Sequence, residues 1–90
     1  MSEENTMAAW KFVKLSKSAV VNHVNAHGGD TIVDMDNIDI IWMHTTPHTS
    51  RAILTVIPPD GKLYEVTYIE EEREARLDVY IKGEEAVLKY

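Results

Sequence analysis

Arg51-Ala52-Ile53-Leu54-Thr55-Val56-Ile57, then Pro58-Pro59-Asp60-Gly61, then Lys62-Leu63-Tyr64-Glu65-Val66-Thr67-Tyr68-Ile69 is the stretch that decides the fold. Its first run sets Ala52, Leu54 and Val56 against Arg51, Ile53, Thr55 and Ile57. Its last run sets Tyr64, Val66 and Tyr68 against Leu63, Glu65, Thr67 and Ile69. Side chains of a strand alternate between two faces, so each run predicts a strand. The segment between them predicts a tight turn: proline presets φ and Gly61 accepts a positive φ. Two strands joined this way form an antiparallel hairpin.

The pattern extends in both directions. Ile38 to Thr45 predicts another strand, with Ile38, Ile40 and Trp42 on one face and Ile41 and Met43 on the other. Apolar residues on both faces predict a central strand. Thr46-Pro47-His48-Thr49 is the turn after it. Beyond the hairpin, the charged segment from Glu70 to Arg76 predicts a wide turn or a short helical turn. Ala75, Leu77, Val79 and Ile81 then alternate with Arg76, Asp78, Tyr80 and Lys82 in the cleanest half-buried pattern of the chain. Lys82-Gly83-Glu84-Glu85 turns, and Ala86 to Tyr90 predicts a last short strand or helical turn.

Toward the N-terminus the periodicity changes. Trp10 to Leu15 predicts a short strand with Trp10 and Phe12 on one face, although its spacing also permits a helix start. Ser16 or Ser18 then caps a helix from Ala19 to His27, with Val20, Val21 and Val24 as its apolar stripe and Asn22 and Asn25 on its wet side. Gly28-Gly29 ends it. Asp30 to Asn37 is an acidic connection with room for a strand at Thr31-Ile32-Val33. Residues 1–7 read as a disordered polar tail and residues 8–90 as a single small domain. The fold class is α+β: an antiparallel β-meander of about five strands with one N-terminal helix packed on one face.

Composition bounds what such a domain does. The chain has 90 residues, 44% of them hydrophobic, and no cysteine. Disulfides, thiolate metal sites and cysteine nucleophiles are therefore excluded. Small secreted domains usually carry disulfides, so a cytoplasmic location is expected. No stretch is apolar enough to span a bilayer, and no membrane association is expected. The net charge is −6. Residues 30–50 contribute Asp30, Asp34, Asp36 and Asp39 with no Lys or Arg. An acidic surface repels phosphates, so direct nucleic-acid binding is not expected, and a basic protein partner or a cation is favoured.

Several residue groups invite a chemical reading. His23 and His27 stand four apart on the expected helix, and His44 and His48 flank a turn at the same spacing. Four imidazoles converging would make a zinc site. The plainer reading is boundary histidines, because no acidic residue sits between the helical pair and spacing alone is a weak cue. The loop His44-Thr45-Thr46-Pro47-His48-Thr49-Ser50 collects imidazoles and hydroxyls suited to phosphate or to acid–base chemistry, against the plainer reading of a self-satisfied polar turn. Asp34-Met35-Asp36-Asn37-Ile38-Asp39 offers oxygens to calcium but misses the glycine and glutamate of an EF-hand loop. Asp34, Asp36 and Asp39 with Glu70, Glu71, Glu72 and Glu74 form the candidate protein-binding set, the last four also reading as a solvated charge run. Tyr64, Tyr68 and Tyr80 recur on strands, where core packing or protein contact is expected over base stacking.

No glycine-rich phosphate loop, nucleophile elbow or supported pair of catalytic carboxylates is present. The expected function is a non-enzymatic protein-binding or regulatory module, with strand edges that invite a homodimer. A modulator of a host protein encoded by a phage or mobile element has this profile. The alternatives are a metal- or phosphate-binding domain built on the histidines, with zinc as the cofactor, and an acidic nucleic-acid mimic.

Overall fold

The computed structural model describes residues 7–27 and 32–81. Along them run α1 (Ala9–His27), a 3-10 turn (Met35–Asn37), β1 (Ile38–Thr45), β2 (Thr49–Val56), β3 (Lys62–Ile69) and β4 (Glu74–Ile81). Each strand pairs antiparallel with the next, so the sheet follows chain order β1-β2-β3-β4. The helix packs on one face, giving a small α+β domain with a four-stranded meander. The expected strand at 86–90 and the Gly28-Gly29 stop lie outside the described residues. No helix among the described residues is long and apolar enough to cross a membrane.

The expected strand at Trp10–Leu15 does not form; α1 runs through it. A strand would hold Trp10 and Phe12 on one face. A helix turns them about 200° apart. Phe12 is fully buried, while Trp10 is 65% exposed and sits beside the Lys11 ammonium. Phe12, Ser16 and Val20 make the buried line of α1, one residue per turn. Ser16 and Ser18 lie inside the helix and do not cap it. The buried Ser16 hydroxyl donates to the Val13 carbonyl at 3.1 Å, which satisfies a group shielded from water.

Asn25, expected on the wet side, ties the helix to the segment after it. Its amide donates to the Val33 carbonyl at 3.0 Å and accepts from the Val33 N–H at 2.8 Å. That pairing imitates a strand partner, and residues 32–34 form no strand of their own. Asp34 then caps the 3-10 turn: its carboxylate accepts from the Asp36 N–H, and its own N–H donates to the Asn37 side chain, each at 2.9 Å. Asn37 in turn donates to the Ile57 carbonyl at 3.0 Å, pinning the turn to the end of β2.

The inner face of the sheet is a ladder of apolar pairs. Ile38 faces Val56, Ile40 faces Leu54, Ala52 faces Val66, and Leu54 faces Tyr64. Tyr64 and Val66 continue to Val79 and Leu77 on β4. With Phe12, Val20 and Val33 these residues form one core cluster. Each large side chain fully buried there is worth roughly 1.5–3 kcal/mol. The alternation expected for β2 and β3 is the one observed; on β4 Leu77 and Val79 are half-buried as expected, while Ala75 and Ile81 are exposed. Pro58–Gly61 turns the chain as expected, with Gly61 at φ +77°.

β1 departs from expectation twice. Among the described residues its sole sheet neighbour is β2, so it is an edge strand and not a central one. Its pairing also slips: Ile40 faces Leu54, Trp42 faces Ile53 and Met43 faces Ala52, leaving Ile41 unpaired as a β-bulge. One extra residue reverses the side on which every later residue falls. Trp42, expected to share a face with Ile38 and Ile40, points away from the helix and is 46% exposed. Met43 takes the inward place and packs against the core. The edge position explains how β1 carries apolar residues on both sides without burying both.

Candidate functional site

Among the described residues, no helix lies over the outer face of the sheet. Ile41, Trp42, Ile57, Leu63 and Tyr80 are all substantially exposed there or at its margin. Trp42 stacks on His44, with ring centroids 6.2 Å apart and 24° between planes. At the other side, Thr55, Leu63, Tyr80 and Ile81 line a shallow hollow of about 510 Å³ whose rim is Pro59, Gly61 and Lys62.

Between these aromatic ends lies Glu65, which the strand alternation places outward yet which is only 8% exposed. The Arg51 guanidinium bonds to one of its oxygens and the Tyr80 hydroxyl donates to the other at 2.8 Å. Register explains the meeting: Ile53 pairs with Glu65, Glu65 with Asp78, and Leu63 with Tyr80, so Arg51 and Tyr80 reach Glu65 from diagonal positions on the two neighbouring strands. The Tyr80 hydrogen bond first, and the Arg51 bond second, hold the Glu65 carboxyl below the usual glutamate range. The same bond raises the Tyr80 hydroxyl above its ordinary value. The result is a fixed polar bridge across three strands, set among exposed aromatic and aliphatic side chains.

The four histidines do not converge. His23 and His27 lie at the end of α1, against Val33, Val56 and the Pro58–Asp60 turn. His44 is on the outer face beside Arg51, and His48 is in the β1–β2 turn, where its carbonyl accepts from the Glu70 N–H at the opposite end of the sheet. No group of three His, Asp or Glu side chains among the described residues is placed to hold a metal ion. The four-histidine alternative therefore lacks its geometry among the described residues: the meander sends the two pairs to opposite ends.

The helical pair does form a structure of its own. The His23 and His27 rings stack at 4.5 Å, and His27 Nδ1 meets the His23 carbonyl at 3.0 Å. With Val24, Asp60, Lys62 and Tyr64 they line a cavity of about 280 Å³. The Tyr64 hydroxyl donates to Asp60 at 2.5 Å, and burial, more than that carboxylate, pushes the phenol far above its ordinary range.

The remaining candidates resolve locally. In the loop from His44 to Ser50, the Thr46 hydroxyl donates to the Thr49 carbonyl at 2.8 Å and accepts from the Thr49 N–H at 2.9 Å, so it closes its own turn. Asp34 serves its cap. Asp34, Asp36 and Asp39 stand at the end of the sheet where β1 begins, and Glu70, Glu71, Glu72 and Glu74 at the other end, where β3 passes to β4. Arg76 pairs with Glu72 at 3.1 Å and lies 3.8 Å from Glu74. Tyr64 and Tyr68 face the helix while Tyr80 faces outward, so the three tyrosines do not make one aromatic surface.

Sequence reading missed Glu65 and Lys62. The available signal for Glu65 was its place between Leu63 and Thr67, diagonal to Arg51 and Tyr80, and it required the strand register. No curated protein and no solved structure matches the chain. The pattern of DUF6275, a family of unknown function, matches residues 13–90, which cover α1 from its second turn and the whole sheet, and the chain belongs to that family.

Proposed function

We propose that this protein is a small non-enzymatic, regulatory protein-binding module, and that the uncovered sheet face is its contact surface. The supporting observation is the Arg51–Glu65–Tyr80 bridge set between exposed Trp42 and the Leu63–Tyr80 hollow. Interfaces are enriched in Trp, Tyr and Arg at their centres, and a rigid polar group among aromatics loses little freedom on binding. Asp39, Glu65, Glu74 and Asp78 outnumber Arg51 and Arg76 on this face, which favours a partner with basic residues around an apolar anchor.

The test is affinity capture from native lysate with the wild type, Trp42→Ala and Lys14→Ala, the last being an exposed helix residue. The reading expects a captured protein that Lys14→Ala retains, that Trp42→Ala loses, and whose retention falls with salt. Equal capture by wild type and Trp42→Ala defeats it. So does a monomer with no partner at any salt.

A further inference from the structure

A second feature lies on the opposite side of the sheet and shares Pro59 and Lys62 with the rim of the outer-face hollow. Phe12, Ser16 and Val20 form the buried line of α1, and His23 and His27 continue it on the next turns. These two turns stand beside the end of β2 and the start of β3, where they line a cavity. Valine and proline wall the cavity on one side: Val24, Val33, Val56 and Pro58. The polar side holds His23, His27, Lys62, Tyr64 and Asp60.

The hydrogen bonds in that set leave donors uncommitted. Asp60 is the one acidic side chain in the described lining, and both of its oxygens are engaged, one by the Lys62 N–H at 3.0 Å and the other by the Tyr64 hydroxyl. His27 donates its Nδ1–H to the His23 carbonyl, so its donor is spent and Nε2 is the acceptor of the neutral ring. Lys62 makes no ion pair among the described residues. Tyr64 stays protonated, so it adds no negative charge. The cavity thus offers the Lys62 ammonium and the His23 ring above an apolar wall, beside an Asp60 carboxylate whose two oxygens are already hydrogen-bonded.

We propose that this cavity binds a small organic carboxylate: the anionic head on the Lys62 ammonium and the His23 ring, the apolar body on Val24, Val56 and Pro58. Inorganic phosphate would leave the apolar wall unused and finds no nest of backbone N–H groups in the described lining. At about 280 Å³ the space sits at the lower end of small-molecule sites, which limits the ligand to fragment size.

The test is a nuclear magnetic resonance titration of the full chain with benzoate, benzyl alcohol, inorganic phosphate and zinc chloride in parallel. Benzoate is expected to give saturable shifts at His23, Val24, His27, Val56 and Tyr64. Benzyl alcohol, which lacks the charge, is expected to bind at least about tenfold more weakly, as is benzoate to Lys62→Met. No saturable shift by about 10 mM benzoate overturns the proposal. Equal binding of benzyl alcohol overturns it too, as does zinc saturating the two histidines where benzoate does not. The comparison between benzoate and benzyl alcohol uses wild-type protein, so it decides the matter even if a variant fails to fold. Trp42→Ala leaves this titration unchanged, which separates the cavity from the contact surface on the outer face.

Discussion

The two faces of the sheet are built from the same alternation and put to different uses. The inner face carries Ala52, Leu54, Val56, Tyr64 and Val66, all buried under α1. The outer face carries Arg51, Ile53, Thr55, Leu63 and Glu65, with no helix over them among the described residues. On the inner face burial does the stabilising, and the Ser16 hydroxyl of α1, buried against it, donates to the Val13 carbonyl. On the outer face the organising interaction is polar, a glutamate held by an arginine and a tyrosine, while the apolar groups stay in water. This ordered face with exposed apolar groups is what the proposed contact surface rests on.

Substitutions on the two faces should therefore separate stability from binding. The largest effect belongs to the inner face: Phe12→Ala should lower unfolding free energy by about 3–5 kcal/mol in a denaturant melt, because the helix loses its largest buried side chain. A loss no larger than that of an outer-face variant would show that the helix is not what the sheet packs against.

Glu65→Gln is expected to cost about 1 kcal/mol at neutral pH, since it keeps the hydrogen-bonding shape and loses the charge, and the Arg51 partner is half exposed. Its sign with pH is set by the lowered carboxyl. The wild type's advantage is fully present above the ordinary glutamate value of about 4.3 and is lost as pH falls through the lower native value. Melts of both proteins from neutral to acid pH should converge. A gap that widens on acidification would contradict the bridge.

Removing Ile41 should change less. The deletion joins Ile40 to Trp42 and lets the β1–β2 ladder run without its bulge, with Trp42 still outward and Met43 still inward. Cross-strand contacts between Met43 and Ala52 should survive, with a stability change under about 1 kcal/mol. Loss of those contacts would mean that the bulge is needed for closure onto the helix. Smallest of all, Trp42→Ala should move stability by no more than about 0.5 kcal/mol while removing partner capture. A large stability loss would make Trp42 part of the fold and weaken the proposed division between faces.

Legibility divides along the same lines. β2, β3 and β4 were readable because their alternation is local and their turns are marked by Pro58-Pro59-Asp60-Gly61 and by the charged run after Ile69. The outer-face bridge was not readable, because Arg51, Glu65 and Tyr80 meet only through the register of three strands. The histidine pair was visible as a pair, but its place on the core line of α1 was hidden. A strand at residues 10–15 takes Phe12 out of the helix and leaves Ser16 as a cap, and without that buried line His23 and His27 read as edge residues.

The sequence alone determined the α+β class, the meander of β2 to β4, the faces of those strands and the single helix ending near His27. These depend on periods of two and of about 3.6 residues, which a chain displays before it folds. Tertiary structure decided the rest: the extension of α1 back to Ala9, the edge position of β1, and the bulge that turns Trp42 out and Met43 in. A short apolar run such as Trp10–Leu15 satisfies either period, and a bulge has no local signature when both neighbours are apolar. In each case the choice belongs to the partner surface: the sheet that Phe12 fills, and the Ala52 position that only Met43 reaches.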